Sequence, residues 1–505
     1  MRDLETPTIE EQEQRWKKAQ ETQQMNEQKI QYIKGNYKVF GIGSIIYGIL
    51  YAVLMYKNPM SVTFPIFIAI TLGICVFVLK KFRITIKKEG YFLMGAIQLL
   101  AVAVCLTTSQ AIIAFNKVAI FLLLFFFMLE QVYDTKGWQV GKNIGKLFLR
   151  MIDIFMYYGK PWSHLFAFSL GKEEAKTKTR KHVLIGVAVA IPLVLIVCGL
   201  LANADRMFES FFQWIFENIL SVDAMAIIFW IVIVYSLMYS FICASVTTKE
   251  GVVETNEKFP AAVGNTFTII VAVIYIGFCV LQVWQVFGGY YDGMSHSKFA
   301  REGFFELLFV SAINLFIVII CVELFERSKI LDAVLIIISG CTYILIASSA
   351  YRMILYVDRY RLTFLRIFVL WFLVVLAIWM TGAIIYIKKR NWNYFKFSVC
   401  VITVMYLIFV YANPDKIIMK YNVQYNEILN SEDVDYFRHN IEPKALLAEI
   451  EKVEAKLAPE DKTEISYELA EYCNRIIIRG DRSSIRETNF ALQEAYGYAK
   501  KYLRE

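Results

Sequence analysis

Three arginines at seven-residue intervals, Arg352, Arg359 and Arg366, are the most conspicuous chemistry in this 505-residue chain, because they stand between two long apolar runs. They fall in YRMILYVDRYRLTFLRIFVLW, residues 351–371, together with Tyr356, Asp358, Tyr360 and Arg361. A charge at the centre of a membrane helix costs about 2.5–3.5 kcal/mol on insertion scales unless paired or hydrated, so the cluster needs partners. Carboxylates for that pairing stand upstream in YYDGMSHSKFAREGFFELL, where Arg301 is followed by Glu302 and Glu306, four residues apart and so on one helical face. Guanidinium forks recognise carboxylates and phosphates, which suits a polar vestibule or a headgroup contact. Asp205 or Glu302 would serve as general acid or base in a membrane enzyme, but no spacing specifically supports that chemistry. The plainer alternative is an ordinary helix start with structural ion pairs.

Other chemistries find less footing. A voltage sensor places arginine at every third residue through a span, and this chain does not. His164, His182, His296 and His439 are scattered, and only Asp435 and His439 have helical metal-ligand spacing. No P-loop, GxSxG or HExxH occurs. Of nine cysteines none forms CxxC, and eight lie in apolar segments as packing residues. No cofactor, metal or catalytic motif is therefore expected.

The elements that must position these residues are membrane helices. The chain is 57% hydrophobic and 19% charged, against about 25% charged for soluble proteins, so much of its surface faces lipid. Eleven apolar segments have spanning length, at 37–56, 61–79, 91–110, 115–133, 182–202, 224–246, 264–287, 303–325, 330–350, 364–387 and 394–412. The net charge of +8 lies mainly in alternate short loops, where it sets orientation and does not signal nucleic acid. Lys80, Lys81, Arg83, Lys87 and Lys88 follow the second segment, while Lys57 and Lys117 stand alone in the loops before and after that pair. This alternation predicts a cytoplasmic N-terminus and, with an odd number of spans, an extracytoplasmic tail. Arg352, Arg359 and Arg361 then fall on the outer side against the rule.

The expected architecture is an all-α integral membrane protein in three parts: a polar cytoplasmic segment at 1–36, a polytopic domain at 37–412, and a small extracytoplasmic helical domain at 413–505. Within the basic loop 134–181, Lys142, Lys146 and Arg150 recur every four residues, as in an amphipathic helix lying on anionic lipid headgroups. A helix packed under the bundle is the alternative. Phe208, Phe211, Phe212, Trp214, Ile215 and Phe216 predict an aromatic surface helix at the opposite side. A loop is expected to interrupt the stretch that carries Arg352, Arg359 and Arg366, with Arg366 opening the next span.

Four polar stretches fall on the predicted outer side, at 203–206, 290–306, 351–366 and 413–415, and an antiparallel bundle brings all four to one end. At these same stretches the chain resembles the bacterial multi-pass membrane family called domain of unknown function 4173 and its relative 4153. The resembling pieces are NADRMF at Asn203, FAREGFFELL at Phe299, RxxLYxxxYxLTxLRxxxxW from Arg352 to Trp371, and NPDKIIMKYN at Asn413. The chain departs from the family pattern at Arg206, where Pro is usual, and at Arg361, where Gly is usual. The resemblance spans roughly residues 80–440 and implies a bacterial cytoplasmic-membrane protein without an established activity.

Asp205, Arg301, Glu302, Glu306, Arg352, Tyr356, Tyr360, Arg366 and Asp415 are the candidate residues for binding a ligand or partner. The reading that follows is a sensory or scaffold protein of the envelope whose outer polar face binds a protein partner or a lipid headgroup. A transporter or lipid-handling permease with an Arg/Glu vestibule is the alternative, and an enzyme on an envelope lipid or glycan ranks third.

Overall fold

The computed structural model describes residues 9–58, 60–133, 135, 138–170, 222–248, 258–288, 304–481 and 484–504, with 197 and 207 as isolated positions. A polar helix, α1 (Ile9–Gly35), leads into a bundle in which, among the described residues, ten helices are long and apolar enough to cross a membrane. These are α2 (Tyr37–Met55), α3 (Thr63–Lys81), α4 (Lys88–Cys105), α5 (Gln110–Val132), α8 (Val222–Val246), α9 (Ala261–Gly288), α10 (Phe304–Leu324), α11 (Lys329–Tyr360), α12 (Phe364–Lys388) and α13 (Tyr394–Tyr411). Two shorter helices, α6 (Val140–Met156) and α7 (Lys160–Leu170), precede α8. The tail folds as α14 (Pro414–Tyr425), α15 (Ser431–Asn440), α16 (Pro443–Leu447), α17 (Ile450–Ala455), α18 (Lys462–Asp481) and α19 (Phe490–Tyr502). Among the described residues the only β pairing is two isolated bridges, Phe259 with Phe325 and Leu429 with Leu457. The protein is an all-α multi-pass membrane protein.

Ten of the expected spans are present, nine of them within about five residues of both predicted ends. The segment 182–202 and the aromatic helix expected at 203–218 lie outside the described residues. The arginine stretch is interrupted as expected, by a turn at 361–363 with Arg366 in the first turn of α12. The break lies later than the apolar run predicts, because α11 continues past residue 350 to Tyr360 as one helix of 32 residues. Arg352 and Arg359 are helical and the chain turns at Arg361; Arg352, which breaks the apolar pattern, has Gln282 and Gln285 as partners that let the helix run past the apolar stretch.

Lipid offers no hydrophobic drive for helix pairing, so close packing must supply it. Gly41, Ser44, Gly48 and Ala52 make a buried small-residue stripe on α2. A Cβ on Gly48 would sit 2.7 Å from the Ile231 carbonyl oxygen, which is how closely α8 approaches. One apolar core joins α2–α5, α8 and part of α13. A second joins α9–α12 and runs without a break into the tail, from Leu335 and Met380 through Ile418 and Phe437 to Leu469 and Ala495.

Hydrogen bonds identify which helix ends lie together. Asn26 and Lys29 of α1 donate to the carbonyls of Thr248 and Val246, just beyond and at the end of α8. At the other end of the bundle Lys57 pairs with Asp223 at 2.6 Å, and the Val62 amide donates to the Thr488 carbonyl of the tail at 2.9 Å. The tail and α1 therefore cap opposite ends.

The helix carrying Lys142, Lys146 and Arg150 forms, but its basic residues do not share one role. Arg150 is buried, donates to the Ala244 and Thr247 carbonyls, and lies 5.3 Å from the Tyr133 ring centroid. It is removed from any headgroup contact because the open end of α8 needs a donor more than Arg150 needs water. Lys142 stays exposed, 5.2 Å over Trp138. At the start of α6 the Glu323 carboxylate of α10 accepts from the amides of Val140 and Gly141. The helix is thus a strap held at one end by the second core and at the other by the first.

A buried ion pair adds a second tie at this end. Glu130 of α5, 1% exposed, pairs with Lys396 of α13 and accepts from the Thr135 hydroxyl at 2.9 Å. Removing one partner of a buried pair typically costs roughly 3–5 kcal/mol, and the partial exposure of Lys396 places this site at the lower end. Glu130→Ala should lower the unfolding midpoint in detergent by more than the double variant Glu130→Ala, Lys396→Met. Equal losses would show that the two charges are not coupled.

Candidate functional site: the junction of spans and tail

The junction is built around the three-residue turn between α11 and α12. Arg361 there has φ 68° and ψ 178°, a conformation that glycine adopts freely and other residues only at a cost of about 1–3 kcal/mol. Its guanidinium donates to Asn426 Oδ1 of the tail and to the Asp358 carbonyl. Arg366, in the first turn of α12, folds back and donates to the carbonyls of Tyr360 and Arg361, with its plane 4.4 Å from the Tyr356 ring centroid. The Tyr356 and Tyr360 rings pack 4.8 Å apart beneath it. The last carbonyls of a helix have no intrahelical partner, and a cation is favoured at that end. Arg366 supplies both.

Asn422 of α14 joins the tail to this turn. Its amide nitrogen donates to the Leu362 carbonyl and its oxygen accepts from the Leu362 amide, both at 2.8 Å. One side chain thereby satisfies both backbone groups of a residue that no helix or strand serves. The stretches 352–371 and 413–422 meet here.

The start of α14 makes a second contact. Asn413 takes the left-handed conformation, φ 53°, and its side chain caps α14 by accepting from the Lys416 amide at 3.1 Å. Pro414 follows at the first helical position, where its missing N–H costs nothing. Asn413 Nδ2 donates to Glu442 at 2.7 Å, and Glu442 also accepts from the Thr107 hydroxyl at 2.6 Å and the Thr108 amide at 3.1 Å, in the loop between α4 and α5. Lys444 reaches the Leu106 carbonyl at 2.6 Å and lies 3.6 Å from Glu442. Asp415, 1% exposed, accepts from the Glu442 amide at 3.2 Å. Burial, and next the Glu442 charge, push the Asp415 carboxyl up to about 7 against the pull of the Glu442 amide, Ser109 and Lys444.

Arg352 serves a different set of partners inside the bundle. It donates to Gln282 and Gln285 of α9, at 3.4 and 3.1 Å, and lies within electrostatic reach of Glu306, which is exposed in the first turn of α10. Ser348 donates to the same Gln282 at 2.9 Å, and deeper in the bundle Asn314 donates to Thr342 at 3.0 Å. Polar side chains thus run along the contact of α9, α10 and α11.

Of the residues singled out in the sequence, Tyr356, Tyr360, Arg366 and Asp415 belong to the junction, and Arg352 and Glu306 to the polar seam. Asp205, Arg301 and Glu302 lie outside the described residues. Glu442, Asn422 and Asn426 were not singled out. Asn422 closes NPDKIIMKYN, and Glu442 stands before Pro443, where an extended residue starts a helix.

Two measurements test this geometry. Arg361→Gly relieves the backbone cost that Arg361→Ala keeps, while both lose the guanidinium bonds, so the glycine variant should be the more stable by roughly 1–3 kcal/mol. An alanine variant of equal stability would contradict the strained turn. Because the folded pKa of Asp415 lies above the ordinary 3.8, its contribution is fully present below that value and is lost as the pH rises through about 7. Protease resistance of the tail should therefore fall between about pH 4 and pH 7, and Asp415→Asn should flatten that dependence.

No curated protein and no solved structure matches the chain significantly. The model of a domain of unknown function, DUF4153, matches residues 94–451, from within α4 to within α17, and so takes in most of α4, the seven spanning helices after it and the whole junction. The chain belongs to the DUF4153 family.

Proposed function

We propose that this protein is a non-enzymatic sensory or scaffold component of the bacterial cytoplasmic membrane, with α1 in the cytoplasm and the tail outside, where the tail binds an envelope partner or a lipid headgroup. The observation that carries this reading is the two-sided bond of Asn422 to Leu362. A tail bonded to the backbone of the α11–α12 turn, and through Glu442 to the α4–α5 loop, passes a displacement at its surface directly to the ends of four spans. A sensor or scaffold requires such a connection. Orientation rests on the alternation of Lys and Arg between loops. The Arg-Tyr pattern that likens the chain to the 4173 family as well is part of the same reading.

A permease is the second reading, and the polar seam favours it. Polar side chains inside a bundle are costly and often line pathways, and Arg352, Gln282, Gln285, Asn314 and Thr342 stand where α11 meets α9 and α10.

Reconstitution separates the two. Liposomes containing the protein should exchange labelled phospholipid and release trapped solute no faster than empty vesicles. Flux above that background that collapses in Arg352→Gln, with the melting curve kept, would overturn the sensory reading in favour of the permease.

A further inference from the structure

The tail carries a cleft whose lining, among the described residues, holds three arginines and no carboxylate. It encloses about 350 Å³ between α15, α16, α18 and α19, with Arg438, His439, Tyr472, Arg475 and Arg479 at its walls and Leu492 at its base. Arg475 and Arg479 are one helical turn apart on α18 and both exposed. Arg438 is tied to Glu468 and Asp435, which do not line the cleft. The Glu471 partner of Arg475 is 3.7 Å away with both side chains more than half exposed, a pair worth little. Arg479 has no ion pair among the described residues. The Tyr472 phenol lies within electrostatic reach of both Arg438 and Arg475. Like charges gathered at one concavity repel, and an anion would relieve that repulsion.

A neighbouring cavity of about 530 Å³ shares Arg475, Arg479 and Leu492 with this cleft. It extends to Lys57, Met60 and Thr108, in the loops that join α2 to α3 and α4 to α5. The arginine cleft therefore opens toward the span ends, with Ile478 and Met60 as apolar wall and Glu487 as the one carboxylate of this second cavity among the described residues.

We propose that the cleft binds a phosphate-bearing ligand of headgroup size. Planar guanidinium groups pair bidentately with phosphate oxygens, a Tyr hydroxyl and an imidazole add donors, and the volume lies at the small end of ligand pockets. The site names the ligand class of the tail and rests on reading the tail as the ligand-facing element.

The test uses the full chain in nanodiscs of zwitterionic lipid. Short-chain phosphatidylglycerol, glycerol phosphate and inorganic phosphate are titrated, with short-chain phosphatidylcholine as a second lipid probe. Saturable binding of at least one anionic probe is expected, with a raised melting midpoint. Preference for phosphatidylglycerol would identify a lipid source, and equal binding of glycerol phosphate a soluble one. Arg475→Gln with Arg479→Gln should weaken binding at least tenfold and leave the unliganded melting curve unchanged or higher, whereas Lys416→Gln, exposed on α14 and away from the cleft, should bind as wild type. Undiminished binding in the double variant, or no binding of any anionic probe, would overturn the site. The liposome flux assay reports separately on the sensory reading, since an empty cleft without flux removes only the ligand assignment.

Discussion

Every helix that stops leaves backbone groups unpaired, and at the edge of a bilayer water cannot be counted on to meet them. In this protein side chains from other helices close those ends. Arg366 takes the last carbonyls of α11, Arg150 those of α8, and Arg390 the Val322 and Phe325 carbonyls at the end of α10. Lys87 reaches the carbonyls of Glu130 and Tyr133 at the end of α5, and Glu323 accepts from the first amides of α6. Each bond joins two elements that are distant in sequence or separated by a turn. The charges at the rim of the bundle are its fastenings.

That constraint explains why the tail is not an appendage. Its apolar core is continuous with that of α9–α12, and its polar contacts end on backbone groups of the turns beneath it. Asn489 of the tail, for example, donates to the Met60 and Thr107 carbonyls in two different turns. At the far end α6 spans the two cores through Glu323 and Arg150. The halves of the bundle are thus tied at both rims, and a force on the tail has short paths into α4, α5, α11 and α12.

The spans were legible because an apolar run of spanning length has few other uses in a chain. The extent of α11 was not, since hydropathy ends at residue 350 while the helix ends at Tyr360, and the difference lies in partners such as Gln285 that sit far away in sequence. Glu130 and Glu323 stand near span ends, where a carboxylate is commonplace in the sequence, and that position is the reason they matter. Arg150 looked like a headgroup residue from its spacing with Lys142 and Lys146, because spacing reports the face of a helix and not what lies against it. Of the junction, the arginine-tyrosine hairpin and Asp415 could be singled out by type and location. Glu442 could not, since a glutamate in a charged tail is ordinary until Thr107 and Asp415 are placed beside it.

The central claim is that the tail is locked to the α11–α12 turn through Asn422. Hydrogen exchange at the Leu362 amide tests it most directly, because an amide in a three-residue turn exchanges quickly unless something holds it. The account predicts slow exchange in the full-length protein, close to that of the spans, and rapid exchange in Asn422→Ala with the span amides still protected. Rapid exchange at Leu362 in the unaltered protein would contradict it.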